Sequence, residues 1–248
     1  MLPPRTEAAI RAARAAGIRV VIATGRMFIS VRPYLLQAGI DDPVVCYQGA
    51  VVAEPQSGRW LRHEPIPVAL AKEAIQAIAG EGFHCNVYVD DELFVGKVTP
   101  EARAYADFHG LVIHEVGDLA AWLEKPATKV VSVGEPELLD GLETRLKDRF
   151  ADRLYISKSL PFFLEIASPK VTKGSGLQFL AEHIGFSPER TVAFGDGEND
   201  IELLEWAGFG IAVANAHERL IGIADYVCPP VTEEGVAQVI EAVLDSRA

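Results

Sequence analysis

Thr191-Val192-Ala193-Phe194-Gly195-Asp196-Gly197-Glu198-Asn199-Asp200 joins a short apolar run to a Gly-rich acidic turn, and the apolar spacing of a helix follows directly over residues 201–206. The run reads as a buried strand, so the turn lies at a strand's carboxyl end, where open α/β sheets bind their ligands. The glycines let the backbone bend sharply and approach a ligand. Asp196, first off the strand, points into that crevice. Asp196, Asn199 and Asp200 are hard oxygen donors that suit Mg²⁺, which is held through few carboxylates, waters and a phosphate. The plainer alternative is a capped turn, with Asn199 as N-cap and Asp200 and Glu202 favouring the positive helix end.

The same rhythm extends outward in both directions. Before it lie a helix over residues 6–16 closed by Gly17, the run Val20-Val21-Ile22-Ala23 as a strand buried on both faces, a helix over 29–38 closed by Gly39, and a strand over 44–46. Nearer to it and beyond it lie a helix over 176–184, strands over 210–214 and 226–228, and a helix over 234–244. Both ends therefore read as one doubly wound α/β unit. Between them the rhythm changes to adjacent strand pairs, 85–89 with 93–97 around Asp90-Asp91, and 154–158 with 162–166, which predicts antiparallel pairing. Helical stretches over 68–79, 100–109 and 136–150 surround these strands, so an α+β module is inserted into a parallel-sheet core.

Two further loops fall at comparable places. Ala23-Thr24-Gly25-Arg26 ends a predicted strand and opens a helix, presenting a hydroxyl and backbone N–H groups that can cradle a phosphoryl group or serve as an ordinary cap. Val171-Thr172-Lys173-Gly174-Ser175-Gly176 places a lysine at a helix N-terminus, against the macrodipole preference, where its ammonium could neutralise a phosphate. The Gly-Lys order of a Walker loop is absent, which excludes a P-loop nucleoside triphosphatase. Gly208-Phe209-Gly210 is half of a dinucleotide fingerprint in the wrong place, before and within a strand.

Composition narrows the function classes. Across 248 residues, 23 Lys and Arg face 35 Asp and Glu, a formal net charge of −12 that argues against nucleic acid as a partner. The six histidines show no ligand spacing, and Cys46, Cys85 and Cys228 form no disulfide framework or C-x-x-C pair, which fits a reducing compartment. No apolar run reaches the roughly 18 residues of a membrane span, and no signal h-region opens the chain, so the expected location is the cytoplasm.

With Ala-Thr-Gly-Arg at 23–26, Lys173-Gly174 after Glu165-Ile166, and Gly-Asp-Gly-Glu-Asn-Asp at 195–200, the chain resembles the haloacid dehalogenase (HAD) superfamily, and within it the Cof-type sugar-phosphate phosphatases. The resemblance spans nearly the whole chain. It implies a Rossmann-like, HAD-like parallel-sheet core from residues 1–57 and 165–248, with an α+β C2-type cap from 58–164. It further implies that Thr24 holds the transferring phosphoryl group, that Gly25 donates its backbone N–H, that Lys173 neutralises phosphoryl and nucleophile, and that Asp196 ligates Mg²⁺. Asn199 and Asp200 would complete the metal site or orient Lys173, and Asn199 would also face the phosphate. Gln48-Gly49 stands where the family often has Asn-Gly beside the substrate.

One departure stands against these agreements. The family's first motif, Asp-x-Asp-Gly-Thr, supplies the nucleophile and the general acid and base, yet no Asp precedes Asp41 here. The expectation is a Mg²⁺-dependent phosphatase of a small phosphorylated metabolite, working through an aspartyl-phosphate on an aspartate in a missing N-terminal segment. The alternatives are a non-catalytic phosphate-binding protein and a C2-capped phosphomutase.

Overall fold

The structure is a computed structural model that describes residues 2–246. The chain divides into two compact units, one containing the segments up to Arg62 and from Thr172 onward, the other spanning His63–Val171.

The first unit opens with α1 (Pro4–Ala15) and α2 (Phe28–Ala38), followed by strands β1 (Val44–Cys46), β2 (Val51–Ala53) and β3 (Trp60–His63). Pro4 sits in the first turn of α1, where its missing N–H costs nothing, and Gly39 closes α2 at φ 68°. The three strands form a sheet in the order β1-β2-β3, with β1 and β2 antiparallel, and two of its members the apolar patterning did not anticipate. The chain returns to this unit with α7 (Lys173–Ile184), β10 (Val192–Gly195), α8 (Ile201–Trp206), β11 (Phe209–Val213), α9 (Glu218–Ile221), β12 (Tyr226–Cys228) and α10 (Gly235–Asp245). Strands β10, β11 and β12 are parallel, as the alternation of strands and helices requires. Their core is Leu177, Ala193, Leu203, Leu204, Ala212 and Leu220, with Val21 and Ala23 packed against it.

Residues 20–23 depart from expectation. They are half-buried rather than buried on both faces, and they join the sheet only through a parallel bridge between Ala23 and Val45. Thr24 N–H donates to Val45 O at 2.8 Å and Val45 N–H to Ile22 O at 2.9 Å. Among the described residues, no strand ladders against the side of this segment away from β1, so that side lacks the neighbour that would bury it. The parallel sheet of β10–β12 likewise ends at β10.

The second unit contains α3 (Val68–Gly80), β4 (His84–Val89), β5 (Glu92–Val95), α4 (Pro100–His109), β6 (Ile113–Glu115), α5 (Leu119–Trp122), β7 (Lys129–Val133), α6 (Pro136–Phe150), β8 (Tyr155–Leu160) and β9 (Phe163–Ala167). Its six strands form one sheet in the order β6-β5-β4-β7-β9-β8. The two predicted hairpins are present, β4 with β5 and β8 with β9, both antiparallel. Asp90 and Asp91 turn the first of them at φ 52° and 66°, a conformation that aspartate tolerates better than most residues. One sheet face packs under α3 and α6 through Ile75, Ile78, Val87, Val130, Leu142 and Leu164. The other face buries an ion pair, Lys129 Nζ to Glu165 Oε1 at 3.1 Å, with Lys129 lying 5.3 Å from the Tyr88 ring centre and the Tyr88 hydroxyl bonded to that of Tyr105 on α4. The three cysteines are buried as free thiols. Among the described residues, no helix is long and apolar enough to cross a membrane.

Candidate active site

Lys173 and Asp200 form the centre of the polar cluster in the first unit. Lys173 is the first residue of α7, whose N-cap Thr172 accepts from Ser175 N–H at 3.0 Å while Ser175 Oγ accepts from Thr172 N–H at 3.1 Å. This reciprocal box satisfies the helix end, and Lys173 is left free to point elsewhere. Its Nζ meets Asp200 Oδ1 at 2.5 Å, with Lys173 7% and Asp200 4% exposed. Buried charges persist when paired and further hydrogen-bonded, and Asp200 meets both conditions. Its second oxygen, Oδ2, accepts the N–H groups of Asp196 at 3.0 Å and of Gly197 at 3.1 Å. Gly195 makes this closure possible, because a methyl group there would stand 2.6 Å from the Asp200 Cβ.

Asp196 faces outward at the end of β10. Its carbonyl accepts His217 N–H at 2.8 Å, which fixes the loop, but its carboxylate is exposed and has no hydrogen-bond or ion-pair partner among the described residues. An unpaired carboxylate beside a neutralised Lys–Asp pair is the oxygen most open to a cation. Among the described residues, no three His, Cys, Asp or Glu side chains gather around a common point. Asp196 is the residue that could hold a cation here, and Mg²⁺ beside phosphates is held through few carboxylates, with water and substrate supplying the rest.

Thr24, Gly25 and Arg26 make the facing turn. Thr24 Oγ1 accepts from Arg26 N–H at 3.1 Å, Thr24 O accepts from Gln48 N–H at 3.1 Å, and Arg26 O accepts from Tyr47 N–H at 3.0 Å. The turn is therefore stapled to residues 47 and 48, which lead out of β1. Gln48 Oε1 in turn accepts from Asn199 Nδ2 at 2.9 Å. Thr24, Gly25, Gln48, Lys173, Asp196, Asn199 and Asp200 are thereby drawn into one connected network, although they lie up to 176 positions apart in sequence (200 − 24).

Two features escaped the sequence. Tyr47 and Gln48 both adopt left-handed backbone, at φ 51° and 58°, and neither residue type signals that conformation. Arg62 Nη1 donates to Ser175 O at 2.5 Å and its guanidinium lies 5.7 Å from the Phe179 ring centre, bracing the first turns of α7 from β3.

Known proteins resemble this chain over nearly its whole length. The family model described as haloacid dehalogenase-like hydrolase matches residues 1–240. The 5-amino-6-(5-phospho-D-ribitylamino)uracil phosphatase YitU of Bacillus subtilis is 30% identical over 238 residues, covering 91% of this chain and 84% of that protein. The pyridoxal phosphate phosphatase YbhA of Escherichia coli is 28% identical over 249 residues, covering 97% and 91%. Among solved structures, TM0651 from Thermotoga maritima superposes with a TM-score of 0.86 at 31% identity, covering 97% of this chain and 90% of that one.

Proposed function

The chain belongs to the haloacid dehalogenase-like hydrolases and is a phosphatase of that superfamily, and from this premise we propose that it hydrolyses a small, sugar phosphate-like metabolite with Mg²⁺ held at Asp196. The observation that carries the reading is the open Asp196 carboxylate beside the buried Lys173–Asp200 pair, facing the Thr24–Gly25 turn through Gln48 and Asn199. The relatives named as acting on a phosphoribitylamino-uracil and on pyridoxal phosphate make a small phosphorylated metabolite the substrate class.

Each residue has a distinct task. Thr24 Oγ1 and the Gly25 backbone receive the oxygens of the transferring phosphoryl group. Lys173 supplies a positive charge whose position is fixed by Asp200, so no reorganisation is needed as negative charge develops on those oxygens. Asp196 and the carbonyl oxygen of Asn199 hold the cation, while Asp200 shapes the loop through its two backbone hydrogen bonds. When bound, Mg²⁺ supplies charge neutralisation for the phosphoryl oxygens. In this reading residues 58–164, the C2-type cap that the resemblance implies, set the substrate preference.

The nucleophilic aspartate, which would form the aspartyl-phosphate, belongs in this reading to a strand preceding residue 1. Two edges support its placement: the side of residues 20–23 away from β1 and the side of β10 away from β11, both in contact with the Leu177 and Ala193 core.

The test is phosphate release from an aryl phosphate, with and without Mg²⁺, by the 248-residue chain and by a form extended with the upstream coding sequence. Mg²⁺-dependent turnover confined to the extended form and abolished by Asp196→Ala is the expected result. Turnover by the shorter chain would refute the placement of the nucleophile, and binding without turnover by both would refute the hydrolase reading.

A further inference from the structure

Gln48 is held in a conformation that its residue type does not favour. Tyr47, Gln48 and Gly49 follow one another at φ 51°, 58° and 107°, and only the last is a glycine. Two consecutive non-glycine residues in left-handed backbone persist only where their surroundings over-determine them, and such sites concentrate at functional positions. Here the result is specific. The Gln48 side chain is carried inward to 8% exposure, its backbone N–H is anchored on Thr24 O at 3.1 Å, and its carboxamide lies across the gap between the turn at Gly25 and the loop at Asn199.

The two ends of that carboxamide do different things. Oε1 accepts from Asn199 Nδ2 at 2.9 Å, which turns the other face of the Asn199 amide, its Oδ1, against Gly197, the residue after Asp196; a methyl group on Gly197 would stand 2.5 Å from that oxygen. Nε2 rests on Gly25, where a methyl group would overlap it, and it has no acceptor among the described residues. A donor without an acceptor, beside a turn that can cradle a phosphoryl group, is suited to an anionic oxygen.

We propose that Gln48 is a positioning residue that sets the Asn199–Asp196 loop in register with the Thr24–Gly25 turn: its carbonyl oxygen orients Asn199 toward the cation, and its Nε2 donates to the phosphoryl oxygen at Gly25. The inference rests on the reading of Asp196 and Thr24 given above and adds the physical link between them. It also gives a reason for the glutamine. An asparagine at 48 has one methylene fewer and a shorter reach from this backbone toward Asn199.

The test compares Gln48→Asn with Gln48→Glu by titration of Mn²⁺, read by electron paramagnetic resonance, and then of inorganic phosphate at saturating Mn²⁺, read by calorimetry. Asparagine is comfortable at positive φ, so Gln48→Asn keeps the fold, which a thermal unfolding curve confirms. Gln48→Asn should weaken Mn²⁺ binding about tenfold, the scale on which groups behind a metal ligand act. Gln48→Glu keeps an acceptor for Asn199 at the same reach, so it should bind Mn²⁺ at least as well as the wild type while losing phosphate affinity. Mn²⁺ affinity within twofold of wild type in Gln48→Asn overturns the proposal, as does an equal loss in both variants. A wild-type chain that binds neither Mn²⁺ nor phosphate overturns the underlying reading of Asp196 and Thr24, and the proposal with it.

Discussion

Removing Lys173 should unfold the first unit earlier as well as disable the site, and the size of the effect follows from the geometry. Lys173 and Asp200 are 7% and 4% exposed and meet at 2.5 Å, so Lys173→Met leaves a carboxylate buried without its counter-charge. Breaking such a pair by deleting one partner costs roughly 3–5 kcal/mol. The lower end applies here, because Asp200 Oδ2 keeps two backbone N–H donors and only Oδ1 is orphaned. Asp200→Asn acts from the other side. It leaves the Lys173 ammonium buried without a counter-charge and replaces a doubly charge-assisted acceptor with a neutral one, for about 3 kcal/mol or more. The double variant should cost less than the sum by about 2 kcal/mol, since the second change removes a charge that the first had already stranded. The assay is urea unfolding followed by Trp206 fluorescence, with Trp60 and Trp122 replaced by Phe. Trp206 sits on α8, bonded to Gln178 on α7 and edge-on to Phe186, so it reports on the two helices that carry the pair. A loss below about 0.5 kcal/mol in either single variant, or additivity of the two within that margin, would refute the claim that this ion pair holds the site together.

Two further outcomes follow from packing and from the second buried pair. Gly176→Ala should destabilise the first unit by about 1–3 kcal/mol, because the methyl group would stand 2.5 Å from Val45 Cγ1 and 2.9 Å from Gly49 Cα, whereas Gly222→Ala, which meets nothing nearer than 3.5 Å, should be close to neutral in the same urea titration. Burial, the largest single influence, would pull Lys129 down, but the Glu165 carboxylate and Tyr105 together outweigh it and hold the ammonium above its ordinary value of 10.5; the stabilisation is therefore complete below that pH and is lost as pH rises through the folded value. Unfolding free energy measured from pH 9 to 12 should fall more steeply in the wild type than in Lys129→Met, and equal slopes would remove Lys129 as the cause.

What the sequence made legible was the part dictated by local chemistry. The hairpin of β4 and β5 announces itself through Asp90-Asp91, and the ends of α1 and α2 through Gly17 and Gly39. Strand β7 was not legible, although Val130, Val131 and Val133 favour extended backbone, because a strand in mid-sheet is not expected to open with lysine. The residue that explains Lys129 is Glu165, 36 positions away on the adjacent strand β9, and no local pattern reveals a partner at that distance. Residues 20–23 show the converse. Their composition specifies a strand buried on both faces, but among the described residues only β1 meets it, and through a single bridge.

The site divides along the same line. Lys173 was visible as a cation where a helix N-terminus disfavours one, and the structure gives the reason for that violation: the Thr172–Ser175 box satisfies the helix end by itself, and Asp200 supplies the negative charge the lysine needs. Gln48 carried no such mark. Glutamine has no preference for left-handed backbone, and its partner Asn199 lies 151 residues downstream, so both the conformation and the contact exist only once the two loops have met. A residue that offends a local rule can be read in advance. One that joins two loops, each consistent with its own rules, becomes visible only in the folded chain, and that is why the link between the phosphoryl turn and the acidic loop is the element most in need of direct measurement.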